Sequence, residues 1–326
     1  MPETTPGPTP VAAAAAGGGL LGATADTPAA ESLYEHGLEV RVRSQWAYAR
    51  KRFLRHRLAV ASLIIVIGIF LCGAFANYIA PHSFSSIDLN YVYHGPTVKN
   101  AHYFGTDDLG RDYFSRVIWG IRTSAKVGLV VAILSSAMGM FVGAIAGYFG
   151  GWVDNILMRI TDLTLTLPII PVLLTAAALY GQGNEWRVTL ILAFFFWSPL
   201  ARIVRGSFLS LREKEYVEAA KAAGAGDFRI MFRHMLPNSM GPIVVNGTLT
   251  IGTAILVEAV LSFLGFGIKP PTPALGALVT EGQDNPQAWW LTVFPGLTLV
   301  LIVLCVNFVG DGMRDALDPT QRRVRA

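Results

Sequence analysis

The sequence predicts an all-α membrane protein that crosses the bilayer six times. Of its 326 residues, 52% are apolar and 15% are charged, whereas soluble domains carry about 25% charged residues. Charge is missing from several runs that approach or exceed the roughly 20 residues with which a helix crosses a bilayer. Because a helix satisfies its own backbone hydrogen bonds, a single segment of chain can cross lipid only as a helix. The runs are therefore predicted as membrane helices.

The first three predicted spans are 58–80, 127–153 and 163–184, and the last two are 235–257 and 285–310. The fourth span, 186–204, has a short uncharged centre and needs Arg187 and Arg202 to reach the headgroups from its ends. Six spans with a cytoplasmic N-terminus place 19 of the 26 basic residues inside. This bias fits the positive-inside rule and predicts that both termini are cytoplasmic.

The domain organisation follows from these spans. Residues 1–31 are rich in Pro, Ala, Gly and Thr and are predicted to be disordered. Residues 32–57 are predicted as a cytoplasmic amphipathic helix, which suits a membrane surface or a partner subunit. The membrane domain is 58–311, with an external loop at 81–121 and a polar cytoplasmic loop at 205–237, and 312–326 form a C-terminal tail. No basic stripe is interleaved with aromatic residues, so nucleic-acid binding is not expected.

The second span carries Gly139, Gly143 and Gly147 on one face. This spacing of small residues is typical of membrane helices that approach each other closely. We therefore expect this face to pack against a neighbouring helix.

The polar loop holds the most informative segment of the chain. Residues Glu213–Ala223 contain no Gly or Pro and favour a helix. Gly224 is suited to the left-handed position that ends a helix, and Asp227 is suited to the N-cap of a second one. Pro237 is expected to end that second helix after Leu236. Ala219, Ala222 and Ala223 form a bare face, but on these residues alone an ordinary connector explains the segment equally well.

The spacing of Glu218-Ala219-Ala220, Gly224 and Leu236-Pro237 resembles the EAA loop of permease subunits of bacterial ABC importers. His234 departs from the broad pattern but matches the RHxLPN form of the peptide-importer branch. The chain resembles the second permease subunit of dipeptide/oligopeptide importers, the DppC/OppC type, from about Arg50 to Pro319. Further matching segments are Phe104–Asp112, Ala146–Asp154, Leu261–Gly265 and Gly310–Pro319.

This resemblance implies a type I ABC importer permease fold in the bacterial inner membrane. It also implies a second homologous permease, two ATP-binding subunits, an extracytoplasmic solute-binding protein and a peptide substrate as partners. Relatives that carry nickel or glutathione share the same motifs. The residues expected to couple this chain to the ATPases are Glu215, Glu218, Ala219, Ala220, Gly224, Leu236 and Pro237.

No enzymatic site is expected in the chain itself. It contains no GxxxxGK[ST], GxSxG or HExxH sequence, so ATP and Mg are expected on the partner ATPases and no cofactor or metal here. The acidic cluster Asp107, Asp108 and Asp112 would suit calcium, but a turn held by Asx hydrogen bonds explains it better. The external motif comprises Gly105, Thr106, Asp107, Asp108, Gly110, Arg111 and Asp112.

Glu258 is the one carboxylate well inside a predicted span. Such residues are costly in lipid and are candidates for function. Glu258 is therefore a candidate for the translocation path, where it would meet a substrate amine, and helix packing explains it equally well. An intramembrane enzyme would need a second catalytic group at this depth. An ion-coupled secondary transporter would need inverted repeats and further buried charges, which the sequence does not show.

Overall fold

The computed structural model describes residues 45–180, 184–283 and 285–317. The predicted tail at 1–31 and the end of the C-terminal tail lie outside the described residues. The secondary-structure elements among these residues are all helices, which confirms the all-α prediction. The helices are α1 (Gln45–Arg55), α2 (Arg57–Ala74), α3 (Ala76–Ile79), α4 (Tyr113–Phe149), α5 (Gly151–Thr166), α6 (Ile169–Tyr180), α7 (Glu185–Phe196), α8 (Ser198–Arg212), α9 (Glu215–Ala222), α10 (Asp227–Arg229), α11 (Leu236–Phe263), α12 (Leu275–Glu281) and α13 (Trp290–Leu317).

Five helical stretches among the described residues are long and apolar enough to cross a membrane: 57–74, 113–149, 185–212, 227–263 and 290–317. The pair α5 and α6 makes a sixth span if the two are counted together. The last helix continues to Leu317, so the tail predicted to start at 312 begins as helix. The chain is thus a multi-pass membrane protein.

The third span differs from the continuous helix predicted over 163–184. It is bent by 90° between α5 and α6. Leu167 has an extended backbone, with ψ of 135°, because the ring of Pro168 disfavours the helical conformation in the residue before it. Pro168 therefore separates two helices within the run that is predicted as one span.

Helix α4 is the central element and has 37 residues, a length of about 55 Å at 1.5 Å per residue. It begins at Tyr113, inside the loop predicted over 81–121, so that prediction is wrong for the last part of the loop. The Asp112 carboxylate starts the helix by accepting a hydrogen bond from the Ser115 N–H at 2.8 Å. The charge of Arg116, in the first turn of the helix, is compensated by the buried Asp107 and the partly exposed Glu281, which is why a polar segment can be helical here.

The glycine face of α4 packs against α8, as its spacing predicted. A Cβ atom at Gly139 would lie 2.5 Å from the Trp197 carbonyl oxygen, and one at Gly143 would lie 2.4 Å from that of Ala201. These distances are too short for any side chain, so the absence of Cβ atoms sets how closely α4 and α8 approach.

The predicted end of a helix at Pro237 is wrong. A π-helical stretch, Ile230–Met235, joins α10 directly to α11, and Pro237 lies in the first turn of α11. Proline is accepted there because the first turn of a helix does not need its N–H. The wider π turn also accommodates its ring.

Two clusters of buried side chains lie at opposite ends of α4. The loop end, where α4 begins, contains Tyr113 and Leu291 packed with α12 residues. The coupling end, where α4 finishes, contains Phe208, Val217 and Met235.

Candidate functional site

Helix α9 is closed by two backbone hydrogen bonds. The Gly224 N–H donates to the Lys221 carbonyl at 2.9 Å, and the Ala225 N–H donates to the Ala220 carbonyl at 3.0 Å. Gly224 has a φ of +78°. Together these features form a Schellman motif, which needs a left-handed residue at its turn. The conformation predicted for Gly224 is confirmed.

The two faces of α9 differ in exposure. Val217 is completely buried in the coupling-end cluster, and Ala220 packs partly against that cluster. The opposite face has two carboxylates and small side chains that leave its backbone accessible. Its exposed residues are Glu215, Glu218, Ala219, Ala222 and Ala223.

Tyr148, near the end of α4, holds the segment after α9. Its hydroxyl donates to the Asp227 carboxylate at 2.6 Å, and the Lys221 ammonium lies 5.7 Å from its ring centre. Arg212 donates to the Tyr148 carbonyl at 3.3 Å. The prediction that Asp227 caps a helix is therefore wrong. Its carboxylate is bound by the tyrosine hydroxyl, and Gly226 is the residue that precedes α10.

Asp154 and Arg205 join α5 to α8 at the same end. Both Nε and Nη2 of Arg205 donate to the Asp154 carboxylate, which is the geometry that makes arginine–carboxylate pairs strong. The other predicted coupling residues, Leu236 and Pro237, divide between interior and surface. Leu236 packs against the coupling-end cluster and Pro237 is exposed.

The motif at the loop end forms a tight turn. Asp107 Oδ1 accepts hydrogen bonds from the N–H groups of Leu109 and Arg111, both at 2.9 Å, and Arg111 Nε donates to Oδ2 at 2.6 Å. Gly105 and Gly110 both have positive φ. These are the Asx hydrogen bonds predicted from the sequence, and Asp108 stays largely exposed beside them.

The turn is fixed to the rest of the loop end through two buried contacts. Trp290 Nε1 donates to the Thr106 carbonyl at 3.2 Å. Arg116, 2% exposed, donates to Asp107 and forms two bonds to Glu281, at 2.6 and 2.8 Å. Burial raises the pKa of the Glu281 carboxyl, and Arg116 acts in the opposite direction. The motif thereby connects the start of α4 to α12 and α13.

Glu258 lies between the two ends and has no exposed surface. Ser124 in α4 donates to it at 3.2 Å and Ser262 donates at 2.7 Å. The Ser262 oxygen also accepts from the Ile268 N–H at 3.2 Å. The carboxylate thus joins α4 and α11 to the chain that follows, and of the two roles left open by the sequence this geometry supports helix packing.

The predicted site residues do not converge on one pocket. The coupling residues lie at one end of α4, the external motif lies at the other, and Glu258 lies on α11 between them.

The family described as "Binding-protein-dependent transport system inner membrane component" matches residues 139–323. The N-terminal TM domain of oligopeptide transport permease C matches residues 44–96. The chain belongs to the binding-protein-dependent transport permeases.

Curated relatives in this permease family cover most of the chain. The oligopeptide transport system permease protein OppC of Mycobacterium tuberculosis is 40% identical over 84% of this chain and 94% of its own length. The dipeptide transport system permease protein DppC of Alkalihalophilus pseudofirmus is 39% identical over 86% and 91%. The glutathione transport system permease protein GsiD of Pectobacterium atrosepticum is 39% identical over 85% and 92%.

The permease fold is also found in a solved structure. A chain from inward facing conformations of the MetNI methionine ABC transporter superposes with a TM-score of 0.50 and 19% identity, covering 62% of this chain and 96% of that one. The predicted importer permease fold is confirmed.

Sequence reasoning missed several residues of this permease that position the site. Tyr148 and Asp154 lie in a segment that carried the family resemblance, but nothing in their spacing indicated contacts with Asp227 and Arg205. Arg116 was not among the predicted site residues. Its position one turn after Asp112, in a motif rich in acids, was the available signal.

Proposed function

We propose that the chain is the permease subunit of an ATP-driven importer of dipeptides or oligopeptides. The observation that carries the proposal is the exposed, alanine-lined face of α9, presented by a Schellman turn in a chain of the binding-protein-dependent permease family. A bare helix face anchored by Val217 on its other side is suited to docking against a second protein.

The docked protein is an ATP-binding subunit. The chain has no Walker A sequence, so ATP and Mg bind to two such subunits. A second homologous permease completes the translocation path, and an extracytoplasmic solute-binding protein delivers the peptide. The chain itself is a transport component and no enzyme.

Movement of the ATP-binding subunits would reach the membrane helices through the contacts of α9. Lys221 and Asp227 lead to Tyr148 on α4, and Val217 leads to Phe208 on α8. Because α4 and α8 are in close backbone contact, displacement of one carries the other. ATP then biases the bundle between outward and inward openings by rigid-body motion.

The orientation in the inner membrane follows from this docking. ATP is cytoplasmic, so the coupling end and both termini face the cytoplasm, and the loop end faces the binding protein. This agrees with the distribution of basic residues.

Glutathione is the second candidate substrate, because a glutathione permease is as similar to this chain as the dipeptide permease is. The two candidate substrates are distinguished in cells whose chromosomal gene for this chain alone is deleted and which carry the gene on a plasmid. Uptake of labelled dipeptide, oligopeptide and glutathione is measured in these cells. Restored peptide uptake that stops when ATP is depleted supports the proposal. Restoration of glutathione uptake alone supports the second candidate, and restoration of neither contradicts both.

A further inference from the structure

We propose that His82, His102 and Asp112 form a binding site for a divalent transition-metal ion of the zinc type at the loop end. The three residues come from different parts of the chain: His82 from the segment after α3, His102 from the loop, and Asp112 from the N-cap of α4. One ligand atom of each lies within 4.8 Å of the others.

The separations suit an ion after small adjustments. His102 Nδ1 lies 2.9 Å from Asp112 Oδ1, and His82 Nδ1 lies 3.9 Å from Asp112 Oδ2. Tetrahedral zinc with bonds of about 2.0–2.1 Å holds its ligand atoms roughly 3.3 Å apart. The His102–Asp112 pair would therefore open by about 0.4 Å. The 3.9 Å distance from His82 is to the second carboxylate oxygen, so His82 Nδ1, which lies within 4.8 Å of the other ligand atoms, would approach Oδ1 by side-chain rotation.

The ligand atoms are held in place by neighbours. Asp112 Oδ2 accepts from the N–H and the hydroxyl of Ser115, at 2.8 and 2.6 Å, which leaves Oδ1 directed at His102. The backbone N–H of His82 donates to the same hydroxyl at 3.2 Å. Such outer hydrogen bonds to ligating groups orient them and tune metal affinity.

His82 provides the second observation that favours a ligand. Its Nδ1 is buried and has no hydrogen-bond partner among the described residues, although buried polar atoms are normally satisfied. Its ring stacks on His102 at 4.8 Å with an angle of 22°. A bound ion would satisfy this nitrogen without moving the backbone.

The ligand set determines the class of ion. Two imidazole nitrogens and one carboxylate oxygen favour zinc and similar first-row ions, whereas calcium and magnesium need an all-oxygen shell. Three protein ligands leave the fourth position for water or for a group from a docked protein. The ion would fasten the segment after the first span to the start of α4.

The test is titration of the metal-free, untagged full-length chain with Zn²⁺ in competition with a chromophoric chelator. One equivalent should bind, and His82→Gln or His102→Gln should each weaken binding at least tenfold. His94→Gln is the matched control, because His94 lies in the same loop and contacts Tyr91 but offers no atom to the cluster.

Thermal unfolding gives a second readout. Zn²⁺ should raise the melting temperature of the wild-type and His94→Gln chains and leave that of His82→Gln unchanged. Since His82 Nδ1 has no hydrogen-bond partner within the described part of the chain, His82→Gln removes no hydrogen bond of this atom, and the fold should be retained without metal. Equal Zn²⁺ affinity in the wild type and the His82→Gln/His102→Gln double variant would overturn the proposal, as would preferential binding of Ca²⁺ or an equal loss in His94→Gln.

Discussion

At the scale of single residues, Gly224 is the position where a side chain should most affect coupling. Its φ of +78° is unfavourable for other residues, although a Cβ atom added there would have nothing within 4 Å, so Gly224→Val should strain the turn by about 1–2 kcal/mol. The matched control is Gly226→Val, where φ is −68° and the space is equally open. We expect Gly224→Val to insert normally and lose ATPase binding and peptide uptake, whereas Gly226→Val retains both. Equal uptake by the two variants would refute the role of the turn.

Glu258 gives a second residue-scale prediction. Glutamine keeps the shape and can bond to both Ser124 and Ser262, so Glu258→Gln should leave assembly and uptake of all peptides nearly unchanged. Glu258→Leu leaves the serine hydroxyls without their partner and should cost about 1–3 kcal/mol. Thermal unfolding of the purified complex measures the difference. A Gln variant that assembles normally but loses uptake of free-amine peptides, and retains that of N-blocked ones, would place Glu258 in the substrate path instead.

At the scale of elements, the loop end depends on one buried arginine. Arg116→Leu would leave Glu281 and Asp107 facing each other without their shared cation, and breaking such a buried pair costs about 3–5 kcal/mol. Lys126→Leu is the control, because its pair with Glu185 is exposed and should contribute about 1 kcal/mol or less. The measurement is the loss of unfolding free energy of each variant in detergent. Similar losses in the two variants would show that the buried network does not hold α12 to α4.

The elements of the site were only partly predictable from the sequence. Helix α9 and its glycine turn follow from local preferences, which is why Gly224 was identified correctly. The fate of Asp227 depends on Tyr148, far away in the chain, and no local pattern distinguishes a capping aspartate from one bound by a tyrosine. Pro237 does not end the helix, because the π turn before it relieves the steric clash between the proline ring and the preceding backbone on which the prediction rested.

At the scale of the whole molecule, the spans followed from hydropathy because lipid leaves the chain few alternatives. The bend between α5 and α6 did not, since a proline inside an apolar run gives the same signal whether it kinks a helix or divides it. The start of α4 was misplaced because the charges of Arg122 and Lys126 end the uncharged run just before Val127, although the helix extends back to Tyr113. The acidic partners of Arg116, which lies in the first turn of that helix, are visible only in three dimensions.

The orientation of the whole chain is tested by cysteine labelling in intact cells with Cys72 replaced by serine. An impermeant thiol reagent should label cysteines placed at Thr97 and Asn285, and it should reach those at Lys221 and Asp315 only after the membrane is opened. These positions lie at the two ends of the molecule, so the pattern reports the side of each. Labelling of the Lys221 position in intact cells would reverse the proposed orientation.

The central claim is that the exposed face of α9 receives an ATP-binding subunit. The most direct measurement is cross-linking from a photoreactive residue placed at Ala219 in the assembled transporter, with the same residue at Thr97 as the control. The proposal predicts a product from Ala219 whose peptides identify a chain with a Walker A sequence, and no such product from Thr97. An ATP-binding subunit that co-purifies with the permease but cross-links from Thr97 and never from Ala219 would contradict it.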